Sequence, residues 1–310
     1  MIKTIRKISL VNGFIRSIIK RFGATSKSLY IFLSSRWRLS GIIPITFHQL
    51  NFKMFTSCDD GMVDSLFYNS SIEEESDLKL FIELSKRSKI ILDIGANTGV
   101  FSIVAAISNP EARIYSFEPY SYNYNRLKKN VFLNNCNSIF CFQKAIGNST
   151  DEIDFYVPDK ERIIDVSSVD ANFSKAFYGN EITWTNVKVN QTSIDLFQKE
   201  ILENKSIDLM KIDVESYEMN VFKGCKELLK SGTSVIILEI FPDEERITFF
   251  NAIMNENNYY GYMILNEGIL RLDDGMRANH DGRNFLLSKK KTSKIFTSFN
   301  SMKEIIDEII

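Results

Sequence analysis

The sequence predicts an α/β protein: a doubly wound, mostly parallel sheet with an antiparallel strand near its C-terminus. Three observations carry that expectation. From residue 90 onward, short apolar runs alternate with amphipathic segments, as successive βα units do. A glycine-containing stretch, Asp93-Ile94-Gly95-Ala96-Asn97-Thr98-Gly99, follows the first of these runs. Two apolar runs late in the chain, 259–265 and 284–288, are adjacent and suggest that the sheet ends in an antiparallel pair.

The elements follow in order. Ile2, Ile5, Ile8, Val11, Phe14, Ile15, Ile18, Ile19 and Phe22 recur at three- and four-residue steps, which predicts a helix over 2–22. Its other face holds Lys3, Arg6, Lys7, Arg16, Lys20 and Arg21. Residues 23–58 read as irregular and 62–69 as an extended approach. Ser71 and Glu74 fit a capping box that opens a helix over 71–87. Strands are expected at 90–94, 113–117 and 138–143, with helices at 97–108 and 120–135. Shorter strands at 151–157 and 186–192 flank an insertion that holds Phe173, Phe177, Tyr178 and Trp184. A strand at 207–212, a helix at 216–230, a strand at 234–240 and a helix at 243–257 continue the alternation. A turn near Asn266-Glu267-Gly268 separates the two late strands. The chain thus divides into a basic helix and irregular arm (1–58), a central domain (59–292) and a C-terminal tail helix (293–310).

Charge is divided unevenly along the chain. The 310 residues carry a net charge of −1, which argues against nucleic-acid binding by the whole protein. Residues 1–58 nevertheless hold ten Lys/Arg and no acid, the first acid being Asp59. The 38 basic and 39 acidic residues of the whole therefore leave 28 and 39 for the remainder, or −11. The basic helix can lie on a membrane surface, with its cations toward lipid headgroups. It can equally pack on the acidic body or on a second subunit. The four cysteines, Cys58, Cys136, Cys141 and Cys225, form no C-x-x-C pair, and His48 and His280 are the only histidines. Neither a disulfide framework nor a structural metal site is expected. Neither a membrane span of about 18 apolar residues nor a signal peptide is expected. A cytoplasmic location follows, peripheral at the inner face of a membrane if the helix meets lipid.

The glycine stretch sits where open α/β sheets bind ligands, at the carboxyl edge. Gly95 and Gly99 let the backbone approach a ligand closely. The middle glycine of a dinucleotide fingerprint is replaced by Asn97, and Asp93 would repel a pyrophosphate. An acid there suits an ammonium or sulfonium group. The next strand ends in Phe117-Glu118-Pro119, and Glu118 lies one strand–helix–strand unit after Asp93. A carboxylate at that place can accept hydrogen bonds from both hydroxyls of a ribose. These features suit S-adenosylmethionine, which has a ribose diol and no phosphate.

Several blocks resemble the FkbM-type family of class I S-adenosylmethionine-dependent methyltransferases. Residues 93–99 resemble its D-x-G-A-N-x-G motif, and Phe117-Glu118-Pro119 with Leu127 and Asn130 its F-E-P…L…N segment. Lys144-Ala145-Ile146-Gly147 and Thr192-Ser193-Ile194-Asp195 resemble two further steps. Residues 209–218, LMKIDVESYE, resemble its L-x-K-I-D-V-E-G-x-E signature, with Ser216 in place of the usual glycine, and Glu239 matches an acid at the end of the next strand. The resemblance covers about residues 60–290, and residues 1–58 have no counterpart in it. It implies a Rossmann-like methyltransferase domain, S-adenosylmethionine as cofactor, and a cofactor site including Asp93, Gly95, Asn97, Gly99, Glu118, Pro119 and Ala145. It also implies transfer to oxygen on a sugar or small molecule, so the expected partner is a glycan or small-molecule acceptor. No metal ligand is assigned.

A hydroxyl acceptor needs its proton removed. If the strand continued past 212, Lys211, Asp213 and Glu215 would share one side, and these are the candidate catalytic residues. Asp213 leads for an acceptor-binding or catalytic role; Glu218, Glu239 and His280 follow. Two other classes compete: a nicotinamide-dependent oxidoreductase, which Asn97 and Asp93 disfavour, and a non-catalytic or membrane-recruited binding protein on the same fold.

Overall fold

The computed structural model describes residues 11–15, 17–18, 37–68, 73–158, 183–232, 234–277 and 282–310. The segment 159–182, His280 and the proposed cap Ser71 lie outside them, as does most of the predicted 2–22 helix. Residues 11–15 and 17–18 are helical. Asn12 is buried and bridges the next element, donating to the Arg38 carbonyl at 3.1 Å and accepting from the Ser40 N–H at 3.2 Å. Ile15 packs against the core, whereas Phe14 and Ile18 are exposed.

The segment read as irregular contains a β-hairpin, β1 (Ser40–Phe47) and β2 (Leu50–Ser57). Alternate residues Ile43, Ile45 and Phe47 face Phe52 and Met54 inward. Pro44 obscures that period-2 pattern, yet a two-stranded edge tolerates a proline. The expected extended approach at 62–69 is instead helix α1 (Gly61–Tyr68). Its cap is Asp60, which accepts the Val63 N–H at 2.9 Å.

Helix α2 (Glu73–Ser85) leads into the alternating units: β3 (Ile90–Ile94), α3 (Val100–Ser108), β4 (Arg113–Phe117), α4 (Ser121–Leu133) and β5 (Ile139–Phe142). A separate three-stranded sheet follows, with β6 (Ala145–Ile146), β7 (Glu152–Pro158) and β8 (Trp184–Thr192) in the order β6-β8-β7. Then come α5 (Ile194–Glu200), β9 (Leu209–Ile212), α6 (Glu218–Lys223), α7 (Lys226–Ser231), β10 (Val235–Glu239) and α8 (Glu244–Asn257). The single helix expected over 216–230 is broken because α7 has a tertiary start. The Asp195 carboxylate accepts the N–H groups of Glu227 and Leu228, each at 3.1 Å.

The main sheet has nine strands. Its parallel part runs β10-β9-β3-β4-β5. Antiparallel strands extend it past β10: β13 (Asn284–Ser288), β11 (Tyr260–Leu265), β12 (Gly268–Arg271) and β14 (Phe296–Ser298). The expected late pair is present, but the turn at 266–267 closes the β11–β12 hairpin, a strand the alternation did not reveal. The tail predicted as one helix supplies β14, a 3-10 turn and α9 (Met302–Ile309), which buries Ile305, Ile306 and Ile309. The fold is a doubly wound, Rossmann-like α/β sheet with an antiparallel extension. One face carries Ile91, Ile114, Leu209 and Ile237 against Phe81, Ile103 and the β1–β2 hairpin. The other carries Leu92, Phe117, Met210 and Leu238 against Phe197, Phe222 and Phe250. Strand order reverses between β3 and β9, and that switch point opens a ligand crevice at the carboxyl edge.

Candidate functional site

At the switch point the chain leaves β3 through Gly95, at φ 82°. A Cβ on Gly95 would lie 1.8 Å from the Asp213 carbonyl oxygen, so the loop and the end of β9 touch through backbone alone. The N–H groups of Gly95 and Ala96 both reach the Phe117 carbonyl, at 3.0 and 2.9 Å. Asn97 turns the chain at φ 48°, and Gly99, at φ 95°, caps α3. Leu127 fills the space beneath Gly99.

Glu118 closes the loop from the β4 side. Its Oε2 accepts the Asn97 N–H at 3.0 Å and its Oε1 the Tyr120 N–H at 2.8 Å. Burial pushes its carboxyl up to about 7, against the pull of those two bonds. Each carboxylate oxygen keeps a further lone pair. Pro119, next to it, is half-buried.

Asp93 does not present an open carboxylate. It is 1% exposed, and Ser102 of α3 donates to it while Ser102 and Ser116 share a hydrogen bond at 2.6 Å. Burial raises it to about 6, with Ser102 and Lys211 opposing. The acid therefore sits under the loop and ties α3 to β3 and β4. The expected contact with a cationic group has no exposed carboxylate here to make it.

A second buried network, which the sequence reading missed, holds the loop from behind. Thr98 donates to Asp60 at 2.7 Å, and Asn130 donates to the Thr98 carbonyl at 2.9 Å while accepting the Phe55 N–H at 2.7 Å. Arg126 grips the neighbouring Asp59 bidentately at 2.5 and 2.8 Å, and Tyr122 adds a bond at 3.0 Å. Burial works against the charge on Asp59, but Arg126 holds its carboxyl below the usual range. The signal was available in Asp59-Asp60 as the first acids after 58 residues without one.

The three candidate catalytic residues part company. Strand β9 ends at Ile212, and Glu215 and Ser216 adopt left-handed φ values of 47° and 76°. Glu215 therefore lies in a turn and not in register with Lys211 and Asp213. The left-handed φ of Ser216 gives the glycine usual at this place its physical reason. The Ser216 N–H is held by Glu218 at 2.9 Å. Lys211 is 1% exposed, and its Nζ donates to Asp213 Oδ2 at 3.1 Å from 4.9 Å over the Phe101 ring. Burial opposes its charge, but Asp213, Glu239 and Asp77 outweigh it and hold the ammonium above its ordinary pKa. A lysine held so firmly protonated is no general base. Asp213 is 34% exposed at the strand end. Glu239 ends the neighbouring strand.

Ala145 is buried in a small core with Phe155, Val157 and Val189. Beyond it, Gly147 lies against Gln191 and Tyr217, which bond to each other at 2.8 Å. The three-stranded sheet and the turn after β9 are thus joined beside the loop. Among the described residues, no cluster of three metal-ligating side chains is found and no helix is long and apolar enough to cross a membrane.

Residues 93–264 match the Methyltransferase FkbM domain family. The chain is 29% identical over 150 residues to "Methyltransferase 1" of Beauveria bassiana, covering 43% of this chain and 57% of that protein. It is 28% identical over 163 residues to "Methyltransferase sdnD" of Sordaria araneosa, covering 44% and 60%. The match thus spans less than two thirds of either relative. The crystal structure of methyltransferase FkbM from Methylobacillus flagellatus aligns with a TM-score of 0.42 at 13% identity, covering 74% of this chain and 55% of that one.

Proposed function

The chain belongs to the Methyltransferase FkbM domain family, and from that premise we propose an S-adenosylmethionine-dependent methyltransferase acting on a hydroxyl oxygen of a sugar or small molecule. The observation that carries the reading is Glu118. It is a carboxylate at the end of β4, the strand beside β3, and its two oxygens are oriented by the N–H groups of Asn97 and Tyr120. Such a group suits the two hydroxyls of a ribose. The N–H groups of Gly95, Ala96 and Asn97, the kind of donor a dinucleotide loop turns toward a pyrophosphate, are engaged by the Phe117 carbonyl and the Glu118 carboxylate. The chemistry of these groups therefore fits a cofactor with a diol and no pyrophosphate.

In this reading Glu118 binds the ribose, and the loop Gly95-Ala96-Asn97-Thr98-Gly99, with no side chain at Gly95 or Gly99, lets the rest of the cofactor approach its backbone closely. Pro119 and Ala145 flank the adenine side. When bound, the cofactor supplies an activated methyl group that needs no metal for its electrophilicity. The protein's task is then to place the acceptor about 3 Å from the methyl, in line with the leaving sulfur. Asp213 and Glu239, at the ends of β9 and β10, face that acceptor. Two acids beside one buried ammonium favour a neutral acceptor rich in hydroxyl donors over an anionic one.

The test has two arms. Calorimetry compares S-adenosylmethionine, S-adenosylhomocysteine and NAD, and the first two are expected to bind. Methyl-labelled cofactor is then supplied with a panel of methyl hexosides, methyl 6-deoxyhexosides and phenols. Tighter binding of NAD would overturn the cofactor reading. Label transferred to amines and to no hydroxyl would overturn the acceptor class.

A further inference from the structure

Strands β9 and β10 run parallel, with Lys211 opposite Ile237 and Ile212 opposite Leu238. One residue further, Asp213 and Glu239 leave the sheet side by side, on adjacent strands about 4.8 Å apart. Equivalent positions of paired strands point to the same face. Asp213 and Glu239 therefore share the face of Lys211, and of Asp93, which is opposite Lys211 in β3. Helix α2 covers that face and brings the buried Asp77 toward the same ammonium.

The two acids are not equivalent. Asp213 accepts the Lys211 Nζ–H at 3.1 Å, so that one of its carboxylate oxygens is already engaged by the buried ammonium. Glu239 has no ion-pair partner within 4.0 Å among the described residues. The charges that act on it come from all sides. Asp213 on β9 and Asp77 on α2 disfavour its ionised form, as does its burial, while Lys211 on β9 and Arg283, just before β13, favour it.

We infer that Glu239 takes the acceptor's hydroxyl proton, and that Asp213 and Lys211 are positioning residues that govern its charge. The inference rests on the methyltransferase reading and deepens it. As the acceptor oxygen forms its bond to the methyl carbon, the carbon–sulfur electron pair stays on sulfur. The proton passes from the oxygen to the ionised Glu239 carboxylate, and from there to water. Glu239 must be ionised to begin, and Asp213 is the main cause of its carboxyl standing at about 8. Turnover should therefore rise with pH through that region. Removing the charge of Asp213 should move the limb downward.

The experiment uses the full chain with wild type, Glu239→Gln, Glu239→Asp and Asp213→Asn. Difference infrared titration of the carboxyl band reads the proton without any turnover. Wild type should show one carboxyl titrating near 8 that is absent in Glu239→Gln and shifted down by about 1 unit or more in Asp213→Asn. In parallel, kcat/KM is followed against pH with the methyl hexosides and methyl 6-deoxyhexosides. Glu239→Gln should lose about 100-fold or more in kcat, Glu239→Asp should recover part of it, and S-adenosylmethionine should still bind both. Active wild type together with an equally active Glu239→Gln would overturn the base assignment and leave the methyltransferase reading standing. A limb unmoved in Asp213→Asn would overturn the coupling. Wild type that binds the cofactor and methylates none of the panel would overturn the acceptor reading first, and the base assignment with it.

Discussion

Gly95 and Gly99 offer a paired test of how the loop is built. Both stand at left-handed φ, 82° and 95°, so an alanine at either is strained by about 1–2 kcal/mol. The neighbours differ. A Cβ at 99 would meet Leu127 Cδ1 at 2.5 Å, the far end of a side chain that can rotate. A Cβ at 95 would meet the Asp213 carbonyl oxygen at 1.8 Å and its carbon at 2.8 Å. That is backbone, held in place by the Asp213 N–H bond to the Ile94 carbonyl at 3.0 Å. The loop and the end of β9 must separate, which adds about 1–3 kcal/mol of overpacking. Gly99→Ala should cost about 1–2 kcal/mol and Gly95→Ala about 2–5 kcal/mol. At about 2–4 °C per kcal/mol for a domain of this size, these become about 2–8 °C and about 4–20 °C of melting temperature. Moving the loop also displaces Asn97 from Glu118, so Gly95→Ala should weaken S-adenosylmethionine binding more than tenfold. Differential scanning calorimetry and titration calorimetry on both variants check this. Equal losses in the two, or a Gly95→Ala variant that binds as wild type does, would refute the backbone contact as the cause.

Three further outcomes are expected. Glu118→Ala should weaken S-adenosylmethionine binding at least tenfold by titration calorimetry, since hydrogen bonds to a charged acceptor are worth about 1.5–3 kcal/mol each; an unchanged affinity would show that the carboxylate does not meet the ribose. Burial raises Glu118 and Glu218 to about 7, and Asp213 with burial raises Glu239 to about 8, from ordinary values of 4.5. The native state thus binds more protons than the unfolded chain between about pH 4.5 and 8, and stability falls as pH rises through that window. Urea midpoints should be higher at pH 6 than at pH 8, and a flat profile would contradict the buried acids. Deleting residues 1–22 should lower the melting temperature, because the Arg38 carbonyl and the Ser40 N–H lose their bonds to Asn12 and the core loses the packing of Ile15. Unchanged melting with lost sedimentation on anionic vesicles would assign the arm to lipid instead.

The sequence by itself determined the parallel strands of the main sheet and the glycine loop at their carboxyl edge. Apolar runs such as Ile90–Ile94 and Val235–Glu239 are buried on both faces, and such strands advertise themselves locally. The Asp93–Gly99 loop and Glu118 were legible for the same reason: each lies at a strand end, where the local pattern switches. The tertiary structure alone decided how each of these groups is held. Asp93 and Glu118 read alike as strand-end acids, yet Ser102 draws one under the loop while two backbone N–H groups orient the other. Alternation placed Glu215 beside Asp213, but β9 stops at Ile212 because the chain must turn left-handed at 215 and 216. The Asp59–Arg126 pair spans 67 residues, and no periodicity reports a contact of that separation. The β1–β2 hairpin and β12 were hidden for a related reason. A strand is stabilised by its partner across the ladder, and the chain's local pattern does not name that partner.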